Sequence, residues 1–271
     1  MRRWSQKREW RVLSALARHH GLPLLPCLLL MVVLFRHLLF SANPPAGVDT
    51  LGWIASAQYL ASKGRFFHPS WLDYSLGVSG GFSHLPIYIA AVNGIIGSPV
   101  FVIKAFMVFT WVLAAVLAYM LAYSIWRNRY AAGGAALLYT LNPLFTGLLG
   151  SGQLNLALGM AMGPGLFLLV YKALTSAPRP ALLYAVLLGL LATAYVIVRV
   201  DFLLYFLPWL VLFALALLYP RLRAGKLPQQ LSHLALLAGV ALASLFTLGA
   251  FALVPELFGV RPPYESARAL I

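Results

Sequence analysis

The chain has 271 residues, 62% of them hydrophobic and only 10% charged, with a mean hydropathy of +0.85. A water-soluble domain is roughly half apolar and a quarter charged, so this composition excludes one. The net charge of +14 sits in short basic runs between apolar stretches, a pattern that orients membrane spans and not one that grips nucleic acid, so no nucleic-acid partner is expected.

Residues 1–21 form a basic amino end carrying Arg2, Arg3, Lys7, Arg8, Arg11 and Arg18. It is followed by an apolar stretch from Leu22 to Ala42, with no small-residue cleavage site before Asn43-Pro44-Pro45, which reads as an uncleaved first span. Its lone Cys27 permits no intrachain disulfide and no cysteine metal site. Further stretches long enough to span run from Val100 to Ile125, Ala131 to Gly150, Leu154 to Tyr171, Ala181 to Val198, Phe202 to Tyr219 and Leu231 to Val254. The segment Leu85 to Ile96 is too short, is broken by Pro86 and carries Asn93-Gly94, and so reads as an interfacial helix.

Charge fixes the parity. The amino-terminal basic residues and the next basic turn, Arg127 and Arg129, both belong in the cytoplasm, so two crossings separate them. Lys172 with Arg179, and then Arg221, Arg223 and Lys226, fall in later loops of the same sense. The expectation is an all-α polytopic protein of the cell (plasma or inner) membrane, with about seven transmembrane helices. Residues 22–254 make one module, the amino end is cytoplasmic, and residues 255–271 begin an outer segment. The acids Asp49, Asp73, Asp201, Glu256 and Glu265 then fall on the outer side, while Glu9 is cytoplasmic.

The outer loop of residues 43–99 is far longer than the others, and long loops on compact scaffolds tend to carry function. Asp49-Thr50 opens a helix expected to run to Lys63 and to lie along the membrane; an aromatic, Gly-rich linker joins it to the Leu85–Ile96 helix. Asp49 suits a helix cap, and equally a general base or a ligand for a divalent metal such as Mg or Mn, because a helix amino end keeps a carboxylate ionised. His68 and His84 lack a second ligand at fixed spacing, so no further metal site is read. Arg36 and Lys104, near the outer ends of spans one and two, can either snorkel or reach a lipid phosphate.

Several motifs follow one layout. Gly47-Val48-Asp49-Thr50 places an acid soon after span one, and Pro69-Ser70-Trp71 precedes Gly77, Phe82, Pro86 and Tyr88. Val102-Ile103-Lys104 opens span two and Tyr123-Ser124-Ile125-Trp126-Arg127 closes it; Leu141-Asn142-Pro143, Gly150-Ser151-Gly152-Gln153-Leu154-Asn155 and Pro164 come after. Over nearly the whole chain this resembles the C-type (GT-C) membrane glycosyltransferases, and in particular bacterial and archaeal membrane proteins described as related to 6-pyruvoyl-tetrahydropterin synthase. The resemblance implies transfer of a sugar from a polyprenyl-phosphate or polyprenyl-diphosphate carrier to an acceptor at the outer face. It implies Asp49 as the catalytic residue, with Arg36, Lys104, Trp71, His68, Gln153 and Asn155 on the substrate and lipid-phosphate surface. Two departures stand out: Gln153 and Asn155 occupy the outer turn where many active members carry a second acid, and the chain ends soon after Pro262-Pro263-Tyr264-Glu265, as a partial chain would. A non-catalytic relative that binds the lipid carrier or a partner, and a transporter or flippase, are the competing expectations.

Overall fold

Inside a bilayer no water meets the backbone, so a single crossing segment must satisfy its own amides and carbonyls, and a helix does so. The computed structural model describes residues 2–44, 92–93, 95–223, 236 and 238–243, with backbone alone for 2–19, 196–204 and 221–223. Among the described residues the regular structure is entirely helical: α1 (Arg2–Phe40), α2 (Pro99–Trp126), α3 (Arg129–Thr140), α4 (Pro143–Gly150), α5 (Leu154–Thr175) and α6 (Pro178–Arg223). Among the described residues four stretches are long and apolar enough to cross a membrane: His20–Phe40, Pro99–Trp126, Leu154–Thr175 and Pro178–Tyr195. The pair α3 and α4, bent by 53°, makes a fifth if it is counted as one span.

Local chemistry sets the joints. Ser98 caps α2 by accepting from the Phe101 amide at 3.4 Å, and Pro99 fills the first helical position, where its missing N–H costs nothing. The bend between α3 and α4 falls at Leu141-Asn142-Pro143: the Asn142 side chain accepts from Leu144 N at 2.9 Å, so it starts a new helix one residue before a proline that cannot continue the old one. Gly152, at φ 72°, turns the chain into α5.

The contacts fix the direction of each helix. His20 meets Tyr119, the Cys27 carbonyl accepts from Trp111 Nε1 at 3.0 Å, and Lys104 reaches Ser41, so α1 and α2 are antiparallel. The loop of residues 43–99 therefore leaves and re-enters the bundle at one end. Gly133 lies on Pro23 and Gly150 near Phe35, so α3 and α4 run alongside α1. α5 returns beside α2, with Leu117 against Gly165, and the Tyr195 hydroxyl of α6 donates to the Gly159 carbonyl of α5 at 2.5 Å. The core these elements enclose is built on Trp111, Tyr195, Phe145, Ile103 and Met107, all buried. Arg127, Arg129, Lys172 and Arg179 consequently gather at the end opposite the loop.

Helix α1 runs unbroken from Arg2 through the basic amino end into the first span. And α6 is one helical element of 46 residues where two spans were expected; straight, it would measure about 69 Å, more than twice a hydrocarbon layer of about 30 Å. It is not straight. The Tyr195 and Phe206 rings lie 6.0 Å apart, whereas a straight helix would separate their Cα atoms by about 16 Å. Phe206 packs on Gly163 and Phe213 on Phe167, so the second half travels along α5 in α5's own direction. The apolar part described there, Tyr205–Pro220, is shorter than the four spans. Most of the expected span from Leu231 to Val254, the loop helix from Thr50 to Lys63 and most of the helix from Leu85 to Ile96 lie outside the described residues.

Candidate functional site

Where the long loop departs and returns, one side chain ties the two points together. Lys104 lies less than two turns into α2, between core residues Ile103 and Met107, and is only 8% exposed. Its ammonium donates to the Ser41 backbone carbonyl, just past the end of α1, and lies 3.5 Å from Ser41 Oγ. That hydroxyl is held by the Leu38 carbonyl at 3.2 Å and the Asn43 carbonyl at 3.1 Å. Carbonyls at a helix carboxyl end have no partner within the helix and form the negative end of its dipole, so an ammonium from the neighbouring helix is a fitting cap. An ammonium has three donors, and Ser41 offers two oxygens.

Arg36 does not join this arrangement. It is exposed on α1 and donates from Nε to His37 Nε2 at 3.3 Å. Gln153 and Asn155 stand at the same end as Lys104, where α4 gives way to α5. Gln153 occupies the position ahead of α5 without capping it, and the Asn155 side-chain oxygen accepts from the Leu156 amide at 2.9 Å. Asp49, His68 and Trp71 lie outside the described residues. No group of three or more His, Cys, Asp or Glu side chains that could hold a metal ion occurs among the described residues.

No protein-family model, no curated protein and no solved structure matches this chain. What it does must therefore be argued from its own residues.

Two participants escaped the sequence reading. Ser41 is one, and its only signal was its place just after an apolar run whose last carbonyls need donors. Asn93 is the other. In sequence it marks a break in an apolar stretch, but the residue is buried, at 6% exposure, and its side-chain oxygen has no hydrogen-bond partner. It sits at the loop-bearing end, one short turn ahead of α2, where its backbone carbonyl accepts from Gly97 N at 2.7 Å. A buried acceptor left unpaired is costly and uncommon in a settled interior.

Proposed function

We propose that this chain is a membrane glycosyltransferase-like protein that uses a polyprenyl-phosphate or polyprenyl-diphosphate sugar donor at its loop-bearing end. The observation that carries the reading is Lys104, a buried ammonium that reaches the Ser41 carbonyl at the end of the bundle where the long loop leaves and returns. A cation held out of water needs a countercharge, and a lipid phosphate arriving from the leaflet supplies one. In this reading Asp49 takes the proton of the acceptor hydroxyl as that oxygen bonds to the anomeric carbon. The bond from that carbon to the carrier oxygen breaks, and the phosphate leaves with the electron pair beside Lys104. Arg36, Trp71, His68, Gln153 and Asn155 contribute, with Lys104, to the binding of the substrate and the lipid phosphate. A divalent ion, Mg or Mn, would sit at Asp49 if the transfer needs one. The basic end is cytoplasmic by the positive-inside rule, which puts the loop and the carrier on the outer face of the cell membrane.

A second reading is a non-catalytic relative that holds the carrier or a partner. The amides Gln153 and Asn155 favour it, since they stand where a second acid would, and Asn155 is already engaged by Leu156 N. One pair of variants separates the two, assayed on the full chain in liposomes with a polyprenyl-linked sugar. Asp49→Asn should lower transfer by roughly 10²- to 10⁴-fold with carrier binding intact, because Asn caps a helix about as well as Asp but takes no proton. Lys104→Gln should weaken carrier binding by about tenfold or more, the worth of a charge-assisted hydrogen bond. Full transfer by Asp49→Asn rules out the catalytic role; if Lys104→Gln still loses carrier, the binding relative stands.

A further inference from the structure

The end opposite the loop holds an arrangement that sugar transfer does not use. α2 closes on Arg127, whose N–H bonds the Tyr123 carbonyl at 2.9 Å, and Asn128 opens α3 by accepting from Tyr130 N and Ala131 N at 3.0 and 3.2 Å. The joint is only those two residues long. Arg127 there adopts φ 56° and ψ 16°, the left-handed region, and is the one non-glycine with positive φ among the described residues. Its side chain is exposed. Arg129 donates from Nη2 to the Tyr130 hydroxyl at 2.8 Å, with its guanidinium 4.7 Å from the Tyr130 ring centre. Beneath them Tyr119 and Tyr123 stack at 5.9 Å and 3°, and His20 stands edge-on to both, with Nδ1 2.8 Å from the Tyr119 hydroxyl.

Three observations point the same way. Gly or Asn would make this joint at less cost, since a left-handed turn brings the Cβ of other side chains too close to the following carbonyl oxygen, so the fold itself does not call for arginine at position 127. Trp126 and Tyr130 are exposed beside the arginines, and such rings settle at headgroup depth. Ile125 and Leu138, on the same two helices, are exposed as well, as apolar side chains that face lipid are. We propose that Arg127 and Arg129 form a binding site for the headgroup phosphate of an anionic phospholipid in the surrounding leaflet. Two guanidinium forks suit a phosphate better than point charges do, and the rings hold them at the depth where that phosphate lies. Lys172 and Arg179 add to the positive field of this end but stand on the α5 and α6 side of it.

The test uses the full chain in phosphatidylcholine bilayers with and without phosphatidylglycerol, reading bound phosphatidylglycerol and thermal stability. Arg127→Gly removes the charge while easing the backbone, so it should unfold at the same temperature as the parent or higher in phosphatidylcholine. Its affinity for phosphatidylglycerol should fall about tenfold or more, and that of Arg127→Gly with Arg129→Gln about a hundredfold or more, the worth of one charge-assisted hydrogen bond to phosphate lost with each arginine. Lys172→Gln with Arg179→Gln should leave most of the binding in place. Unchanged affinity in the arginine double variant overturns the proposal. So does an equal loss in the Lys172 and Arg179 pair, which would mean diffuse charge, or equal protection by free inorganic phosphate, which would mean no lipid preference.

Discussion

Helices α1 and α5 invert the rule that holds in water. The crossing part of α1 is the more apolar of the two, yet 17% of it is buried against 67% for α5. Lipid tails solvate leucine as well as a protein interior does, so hydrophobicity does not choose which helix sits inside. Small residues do. α5 offers Gly159, Gly163 and Gly165, and Tyr195, Phe206, Leu117 and Leu191 close onto them. α1 meets its neighbours through Pro23, Cys27 and Met31, while Leu22, Leu25, Leu29 and Val33 stay exposed.

The sharpest way to break that contrast is to shorten one leucine on each helix. Leu166 of α5 is fully buried and Leu29 of α1 is 58% exposed. Leu166→Ala should cost about 2–3 kcal/mol, the lower part of the range for buried leucines, because the packing contacts are lost but the transfer from water is not. Leu29→Ala should cost less than about 0.5 kcal/mol. Reversible unfolding in mixed micelles measures both, and equal costs would mean that α1 is packed against something in the folded protein.

The same contrast shows what could be read in the sequence. Hydropathy picked out the stretches that became α1, α2, α5 and the first part of α6, because length and apolar content are what a span requires. They could not tell which stretch lies inside, since that depends on which glycines meet which rings across helices. The break at Leu141-Asn142-Pro143 was written in its residues but lay inside an apolar run, and hydropathy averages over it. At the candidate site, Lys104 was legible as a cation near the end of a span, but whether it would snorkel or turn inward was not. The turn inward depends on the Ser41 carbonyl, supplied by another helix.

The glycines themselves give the second test. A methyl on Gly133 would lie 2.7 Å from the Pro23 carbonyl oxygen and 2.9 Å from Pro23 Cβ, so the α1 backbone would have to move. One residue on, a methyl at Gly134 meets nothing within 4 Å. Gly133→Ala should cost about 1–3 kcal/mol as an overpacking change. Gly134→Ala should gain up to about 1 kcal/mol from helix propensity. The two neighbours thus differ in sign, and equal effects would mean that α1 and α3 are not in close contact.

The smallest effect tests how α5 tolerates its proline. Pro164 has no N–H, so the Met160 carbonyl one turn earlier loses its helical donor. The Tyr139 hydroxyl of α3 donates to that carbonyl at 2.5 Å, which joins the bent pair to the most buried helix at the point where that helix is weakest. Tyr139→Phe should cost about 0.6 kcal/mol, the average for such bonds between membrane helices. A Pro164→Ala background restores an amide N–H at that position, which can bond the Met160 carbonyl again, and there the cost of Tyr139→Phe should fall toward zero. Tyr195 supplies the control: its hydroxyl bonds the Gly159 carbonyl, whose helical donor is the Gly163 amide, so the cost of Tyr195→Phe should not depend on residue 164. A double-mutant cycle reads the difference directly. Coupling between Tyr139 and Pro164 without coupling between Tyr195 and Pro164 would show that the tyrosine repairs the proline's missing bond, whereas equal coupling at both would assign the effect to a general loosening of α5.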